Sequence, residues 1–533
     1  METIKKIIIF LLSAVVLISC EDKLDTTPEG GTLTQDQKKE AFEANPALLA
    51  SDVAAMYANM IAYGAILGED YHNDFGYAAA CLMMESNGAD MTCANVGYNW
   101  FAPNASYADR VYTSTRTLFM WNLFYKQIAS ANLVISSVDS ATTEPTLKAF
   151  RGQALAVRAF DYLNLAQTHQ FTYIGHKDKP CVPIVTEKTT PEQLTNNPRA
   201  SVEAVYHLIK SDLDEAITLL EGYKRPDKGY INQAVAYGLR ARANLLMGEY
   251  SAAAADAEMA LNLSGAMPYS RTEVSAPAFW NANDNTVIWA NIITENNDIV
   301  LTGIVNMPSH LCSFFTDGYV GVGAWKKINL PLYKKISNSD VRKGWWLDEN
   351  LKSPLVDDPL YEGWFEIAMS DADFGPYTNV KFGADKNDLN NLIPAQDWFL
   401  MRAEEMIFIQ AEGLAMSGRT GDAKNLLEDF VKTNRDPNYK CTASSAEALR
   451  DEIWFQRRIE LWGEGFFYFD IMRLKKPVTR VENGVTSFPD AWQFNIPAED
   501  PILLWLVPKS EIEANEGISE ADNNPKVDPP VAQ

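Results

Sequence analysis

Two stretches gather aromatic rings among polar and glycine residues: residues 88–107, with Asp90, Tyr98, Asn99 and Trp100, and residues 317–327, with Tyr319 and Trp325. Flat rings offer apolar faces to a sugar while Asp and Asn satisfy its hydroxyls, so this mix suits a carbohydrate, although it would also hold a peptide. For any one of these rings the commoner use is core packing, because Trp and Tyr are well buried on average. A third constellation is the run RDEIWFQRRIELWGEGFFYFDIMRL at 450–474. In it Arg457 and Glu460, like Asp470 and Arg473, stand three apart, so opposite charges can meet on one helix face. Glu460 and Glu464 repel unless basic groups reach them from elsewhere. Paired carboxylates can act as general acid and base, but a structural ion network perturbs carboxylates in the same way, and the network is the expected use here.

Other catalytic signatures are scarce. There is no Gly-rich phosphate loop, HExxH pair or GxSxG elbow, and the five histidines, His72, His169, His176, His207 and His310, have no ligand spacing. No catalytic residue, metal or cofactor is therefore expected. A glycoside hydrolase stays open as an alternative, since two carboxylates from distant segments leave no mark in a sequence that carries 70 acidic residues.

These candidates need a scaffold. Trp454, Arg458, Leu461, Trp462 and Gly465 recur at helical spacing, which predicts one packed helix through the third constellation. Helical patterns over 117–138 and 147–167 predict a hairpin capped by Ser140 or Thr142, with a further helix over 202–220. Ala241, Gly248, Tyr250, Ala253 and Ala260 match the small and aromatic positions of a 34-residue tetratricopeptide (TPR) unit, and Ala411, Gly418, Thr420, Ala423 and Phe430 repeat much of that spacing. Between about 269 and 397 the periodicity lapses into Gly, Pro, Asn and Asp, with short strand-like runs such as 286–293. A structureless loop of that length is uncommon, so it reads as an insertion with turns and strands of its own. The expected fold is all-α: a TPR-like helical-hairpin body over 47–270 and 397–475, a ligand-facing insertion with short strands over 271–396, and a loop-rich end over 476–533.

At 533 residues, with 47% hydrophobic and 22% charged, the chain has the composition of a globular protein with a large core. A net charge of -24 argues against nucleic acid and against docking of the body on anionic lipid. At the N-terminus, Lys5 and Lys6 precede an apolar run that ends in Leu17-Ile18-Ser19-Cys20, which reads as a signal peptide over 1–19. Its last four residues resemble a bacterial lipobox, which implies a lipid on Cys20. Several acyl chains, at about 0.8 kcal/mol per buried CH2, would hold the protein on a membrane. The polar segment 20–46 then serves as a tether. The other cysteines, Cys81, Cys93, Cys181, Cys312 and Cys441, show no metal spacing, and their odd number leaves at least one unpaired.

Several of these runs share a resemblance. Arg457-Arg458-Ile459-Glu460-Leu461, Glu464-Gly465, and Asp470 with Arg473 are similar to the "ERR-EL-x-x-EG-x-R-x-x-DL-x-R" signature of the SusD/RagB family of Bacteroidetes outer-membrane lipoproteins, with Gln456 and Phe467 standing in place of Glu and Arg. Arg402-Ala403-Glu404-Glu405-Met406 with Ala411-Glu412 resembles the family's "R-x-E-M/L-x-L-x-x-A-E" helix. Gly152-Gln153-Ala154 through Leu163, Val182-Pro183-Ile184, and Val507-Pro508 with Glu511-Ile512 and Asn515 resemble further family segments in the same order, and Glu21-Asp22-Lys23-Leu24-Asp25 resembles the acidic surface-export tag of such lipoproteins. The resemblance implies a surface lipoprotein of the outer membrane that captures an oligosaccharide, without chemistry, for a TonB-dependent (SusC-like) transporter, its glycan site on loops from the two aromatic regions. A peptide-binding member of the same family is the alternative.

Overall fold

Small residues at fixed offsets decide how the helices meet. The computed structural model describes residues 35–370 and 373–532. The longer helices are α1 (Gln35–Ala44), α2 (Ala50–Ala58), α3 (Tyr77–Asn87), α4 (Thr115–Ser137), α5 (Pro145–His169), α6 (Val202–Leu219), α7 (Gln233–Met247), α8 (Tyr250–Ser264), α9 (Ala403–Met416), α10 (Thr420–Asn434), α11 (Ala446–Glu460) and α12 (Phe467–Leu474). Each of α4 to α10 packs on the next, so α8 lies against α9 even though the insertion separates them in sequence. Ala241, Ala253, Ala260, Ala411 and Ala423 are fully buried at these contacts. At Gly413 the approach is so close that a β-carbon would stand 2.5 Å from the Tyr250 carbonyl oxygen. Gly248 and Gly418 turn the α7–α8 and α9–α10 hairpins at φ of 77° and 88°, a region open to glycine at little cost. The body is therefore a stack of TPR-like helical pairs, as the spacing predicts.

Three short antiparallel strand pairs stitch the loops to this stack. Strand β1 (Met91–Cys93) pairs with β3 (Lys326–Ile328) in the register Met91 to Ile328 and Cys93 to Lys326. Strand β2 (Val287–Asn291) pairs with β4 (Trp398–Arg402), closing the two ends of the insertion on each other. Strands β5 (Val478–Thr479) and β6 (Asn495–Ile496) tie the C-terminal segment. One hydrophobic cluster runs from Leu49 to Val507 and takes Trp289, Trp345, Trp346 and Trp364 from the insertion. The insertion thus shares the core of the helical body.

Several local expectations are corrected. The helix predicted through 450–474 ends at Glu460 and restarts at Phe467. Gly463 and Gly465, at φ of 81° and 90°, break it, and a β-carbon on Gly465 would sit 2.8 Å from Cys81 Cβ. Arg457 consequently pairs with Asp470 at 2.9 Å across the break, and not with Glu460. The cap of α5 is the Glu144 carboxylate, which accepts from Leu147 N at 2.7 Å, in place of Ser140 or Thr142. Helix α1 lies within the stretch expected to be tether. Cys20 and the signal peptide lie outside the described residues. The other five cysteines are buried free thiols.

Candidate functional site

The β1–β3 ladder brings together the two aromatic stretches that the sequence singles out. Their residues divide into those facing out and those facing in. Tyr98 is 59% exposed. Trp100 is half-buried, its ring stacked on His72 at 4.8 Å and 24°, and its carbonyl accepts from Arg116 Nη2 at 2.9 Å. The Tyr319 hydroxyl hydrogen-bonds to His72 Nδ1. The Tyr319 ring stacks on His310 at 4.6 Å and 14°, and His310 lies on Phe75 at 5.4 Å and 12°. His310 Nε2 also reaches the His72 carbonyl at 3.1 Å. The outcome is a tier of rings that begins in the core at Phe75 and ends at the half-buried Trp100, with the exposed Tyr98 two residues before it in the chain.

Burial pushes the His72 imidazole below its usual range, with Asp70 partly opposing the shift, and pushes that of His310 well below it, reinforced by Lys326. Both rings are therefore neutral at physiological pH, so the platform stacks without carrying charge. Its edge is glycine-rich. A β-carbon on Gly321 would fall 1.7 Å from the Thr316 carbonyl oxygen, so glycine alone allows the chain to fold tightly behind Tyr319 and to leave Val322 exposed.

The other sequence candidates are turned inward. Asp90 is 2% exposed, and its carboxylate takes Arg458 Nε at 2.8 Å while its carbonyl accepts from Trp462 Nε1 at 2.9 Å. Asn99 is buried and caps a turn by accepting from Phe101 N at 3.2 Å. Trp325 is 7% exposed, packed edge-to-face with Phe374, and a β-carbon on Gly375 would stand only 3.1 Å from its ring. Asp90 and Trp325 therefore hold the loops in place from beneath. His72 and His310 were not singled out from the sequence, because they lack metal-ligand spacing. The signal that was available is the aromatic and polar run Tyr71-His72-Asn73-Asp74, of the same composition as the two stretches that were chosen.

The carboxylates of the third constellation form a closed ion network. Glu460 accepts from Arg435 Nε and Nη2, both at 2.8 Å, and from Arg402 Nη1 at 3.0 Å, with Arg342 Nη1 at 3.3 Å. Glu464 takes Arg402 Nε at 2.8 Å and Lys381 Nζ at 2.6 Å. Burial alone would raise both carboxyls, yet Arg435, Arg402 and Arg342 hold Glu460, and Arg402 and Lys381 hold Glu464, below the ordinary range. Glu460 and Glu464 are thus held ionised, with their oxygens engaged by arginine and lysine donors. Among the described residues no group of three or more His, Cys, Asp or Glu is placed to hold a metal ion.

Comparison with known proteins agrees with this architecture. A family model described as "Starch-binding associating with outer membrane" matches residues 50–245, and the SusD family model matches residues 368–525. The chain is 22% identical over 526 residues to a SusD-like protein, P38, of Formosa agariphila, covering 91% of this chain and 94% of that protein. A SusD-like carbohydrate binding protein from Bacteroides vulgatus superposes with a TM-score of 0.71 at 23% identity, covering 90% of this chain and 98% of the other. A SusD superfamily protein from Bacteroides thetaiotaomicron gives 0.66 at 20% identity, covering 93% and 100%. With two family matches that together span more than half of its length, the second of them containing Lys381, Arg402, Arg435, Glu460 and Glu464 of the ion network, and with a TPR-like body stitched by short strands, this chain belongs to the SusD/RagB family.

Proposed function

We propose that this protein is a glycan-binding lipoprotein of the outer-membrane surface that captures an oligosaccharide on the Tyr98–Trp100 platform and delivers it, chemically unchanged, to a TonB-dependent transporter. The observation that carries this reading is the tier of neutral rings that ends in a half-buried indole. A pyranose ring has an apolar face that such an indole can cover, while Tyr98 is free to take hydroxyls at the edge. The carbohydrate-binding name given to the Bacteroides vulgatus relative supports the same ligand class. Delivery without turnover is supported by the arginine and lysine donors that hold Glu460 and Glu464 ionised. Attachment through Cys20 would keep the platform at the membrane, since among the described residues no helix is long and apolar enough to cross one.

The test is a thermal-shift screen of the purified full chain against glycans and peptides, followed by chromatography of any bound glycan after long incubation. A glycan that raises the melting temperature and is recovered intact is the expected result. Stabilisation by peptides alone would move the ligand class to peptides. Steady release of shorter sugars would make the protein a hydrolase.

A further inference from the structure

A cleft of ≈ 740 Å³ opens on the insertion and shares no residue with the Trp100 platform. Its walls include Tyr333, Tyr377 and Trp346, with Asp348, Glu349 and Lys352 at the rim. Tyr377 sits at φ of 69°, a conformation that a bulky L-residue adopts only under strain. Backbone hydrogen bonds from Tyr377 N to the Leu347 carbonyl at 3.0 Å and from Ile328 N to the Tyr377 carbonyl at 3.1 Å hold it there. This strained backbone sets the Tyr377 ring against Tyr333 at 5.0 Å and 56°. One face of Tyr333 is taken by the Lys343 ammonium, 5.2 Å from the ring centre and itself fixed by the Ile336 carbonyl and Asn338 Oδ1. Among the described residues neither phenol hydroxyl has a hydrogen-bond partner. The indole N–H of Trp346, whose side chain is 1% exposed, has none either.

The chemistry of the cleft points to an uncharged, hydroxyl-rich ligand. The lining sets Asp340, Asp348, Glu349 and Asp357 against Lys343 and Lys352, an acidic excess that the Arg342–Asp340 pair only partly offsets and that disfavours an anionic ligand. Rings below supply an apolar floor, and donors and acceptors above match a polyol. We propose that this cleft is a second saccharide site, in which a sugar ring lies on Tyr377 and its hydroxyls engage Glu349, Lys352 and the free phenols. The proposal rests on the reading of the protein as a glycan binder and adds a place for a second segment or a second molecule. Two sites on one rigid body would favour a chain long enough to span both, because the second contact is then made at high effective concentration.

The experiment is calorimetry on the full chain in mild detergent, with neutral gluco-, manno-, galacto- and xylo-tetraoses as probes, comparing wild type, Trp100→Ala, Tyr333→Ala and the exposed-rim variant Glu349→Gln. The expected result is about two tetraoses per wild-type chain and about one in either Trp100→Ala or Tyr333→Ala, with Glu349→Gln weakening the second site by about tenfold. One tetraose per wild-type chain, lost in Trp100→Ala and unchanged in Tyr333→Ala and Glu349→Gln, overturns the second site and leaves the platform standing. Binding abolished by Tyr333→Ala or by Glu349→Gln, but untouched by Trp100→Ala, keeps the cleft and removes the platform. If no tetraose binds the wild type, the glycan reading fails and the second site falls with it. A melting curve for each variant separates loss of binding from loss of fold, and Glu349→Gln, on an exposed side chain, keeps the test open if Tyr333→Ala does not fold.

Discussion

The Trp100 indole rests on the His72 imidazole, and His72 is in turn fixed by the Tyr319 hydroxyl. A half-buried ring braced on one face is pre-organised, so on the proposed reading a ligand stacked on it would order little on binding. Trp100→Ala is expected to cost about 1 to 3 kcal/mol of glycan affinity, roughly one to two decades, with little change in stability. Trp325→Ala should do the opposite. Its ring is enclosed by Phe374 and Gly375, so the deletion leaves a cavity worth about 3 to 5 kcal/mol of stability. Calorimetry and thermal melts on the two variants decide the matter; an unchanged affinity in a folded Trp100→Ala protein would take the platform out of the site.

Glu460 reaches three guanidiniums, those of Arg435, Arg402 and Arg342, two of which Glu404 also joins. Glu460→Gln leaves these buried cations undercompensated, which is expected to cost about 3 to 5 kcal/mol in urea unfolding. The pH dependence has a definite sign. Because the arginines hold the folded carboxyl below its ordinary value of 4.5, the stabilisation is fully present above about pH 4.5 and is lost as pH falls through the lower folded value. The gap between wild type and variant should therefore be flat from neutral pH down to about 5 and narrow only in stronger acid. A gap that widens on acidification contradicts this account.

Much of the scaffold was legible because its determinants are local and periodic. Alanine and glycine at TPR offsets state which helices touch, and Glu460 beside Glu464 states that basic partners must arrive from elsewhere, as Arg402, Arg435 and Lys381 do. What was illegible depended on long-range pairing. Arg458 reaches Asp90 across most of the chain, and only that contact reveals that Asp90 supports the loop from within. The break after Glu460 was masked because Leu461 and Trp462 continue the helical spacing, while the two glycines that end the helix matter only through their positive φ and the contact with Cys81. The tier of His72, Tyr319 and His310 joins residues from distant segments, and the β1–β3 ladder that unites them is three residues long, too short to show a period.

Glu85 supplies a pH test of the opposite sense. Its Oε1 accepts from Gly465 N at 2.8 Å and Phe466 N at 3.2 Å, while its buried Oε2 has no partner. Burial pushes this carboxyl up to about 8, against the Gly465 amide that lowers it and with the Asp90 charge adding to the rise. The folded value lies above the ordinary 4.5, so ionisation penalises the folded state increasingly as pH rises from about 4.5 to about 8. Glu85→Gln removes that penalty. Relative to wild type, the variant should gain stability with rising pH by at most about 1.4 kcal/mol per pH unit and level off near pH 8. Denaturant melts at several pH values measure this, and parallel curves would show that Glu85 is ionised in the fold.

The last prediction concerns the partner. Among the described residues no helix is long and apolar enough to cross a membrane, and on the proposed reading the captured ligand is passed to a separate pore. Membership of the SusD/RagB family makes a TonB-dependent barrel the expected one, and lipid on Cys20 would keep the two in the same membrane. Helix α1 shortens the stretch expected to act as tether, because residues 35–44 rise along a helix at about 1.5 Å each. Purification from the native host in mild detergent should bring down a large β-barrel protein with this one, and Cys20→Ala should lower both the recovery of the complex and partitioning into the detergent phase. Substitutions at Trp100 should leave the complex intact while reducing uptake of the bound sugar, because the ring acts on the ligand and the lipid acts on the assembly. If the wild-type protein is recovered alone under these conditions, and deletion of its gene leaves uptake of its ligand unchanged, the transporter has no place in its function.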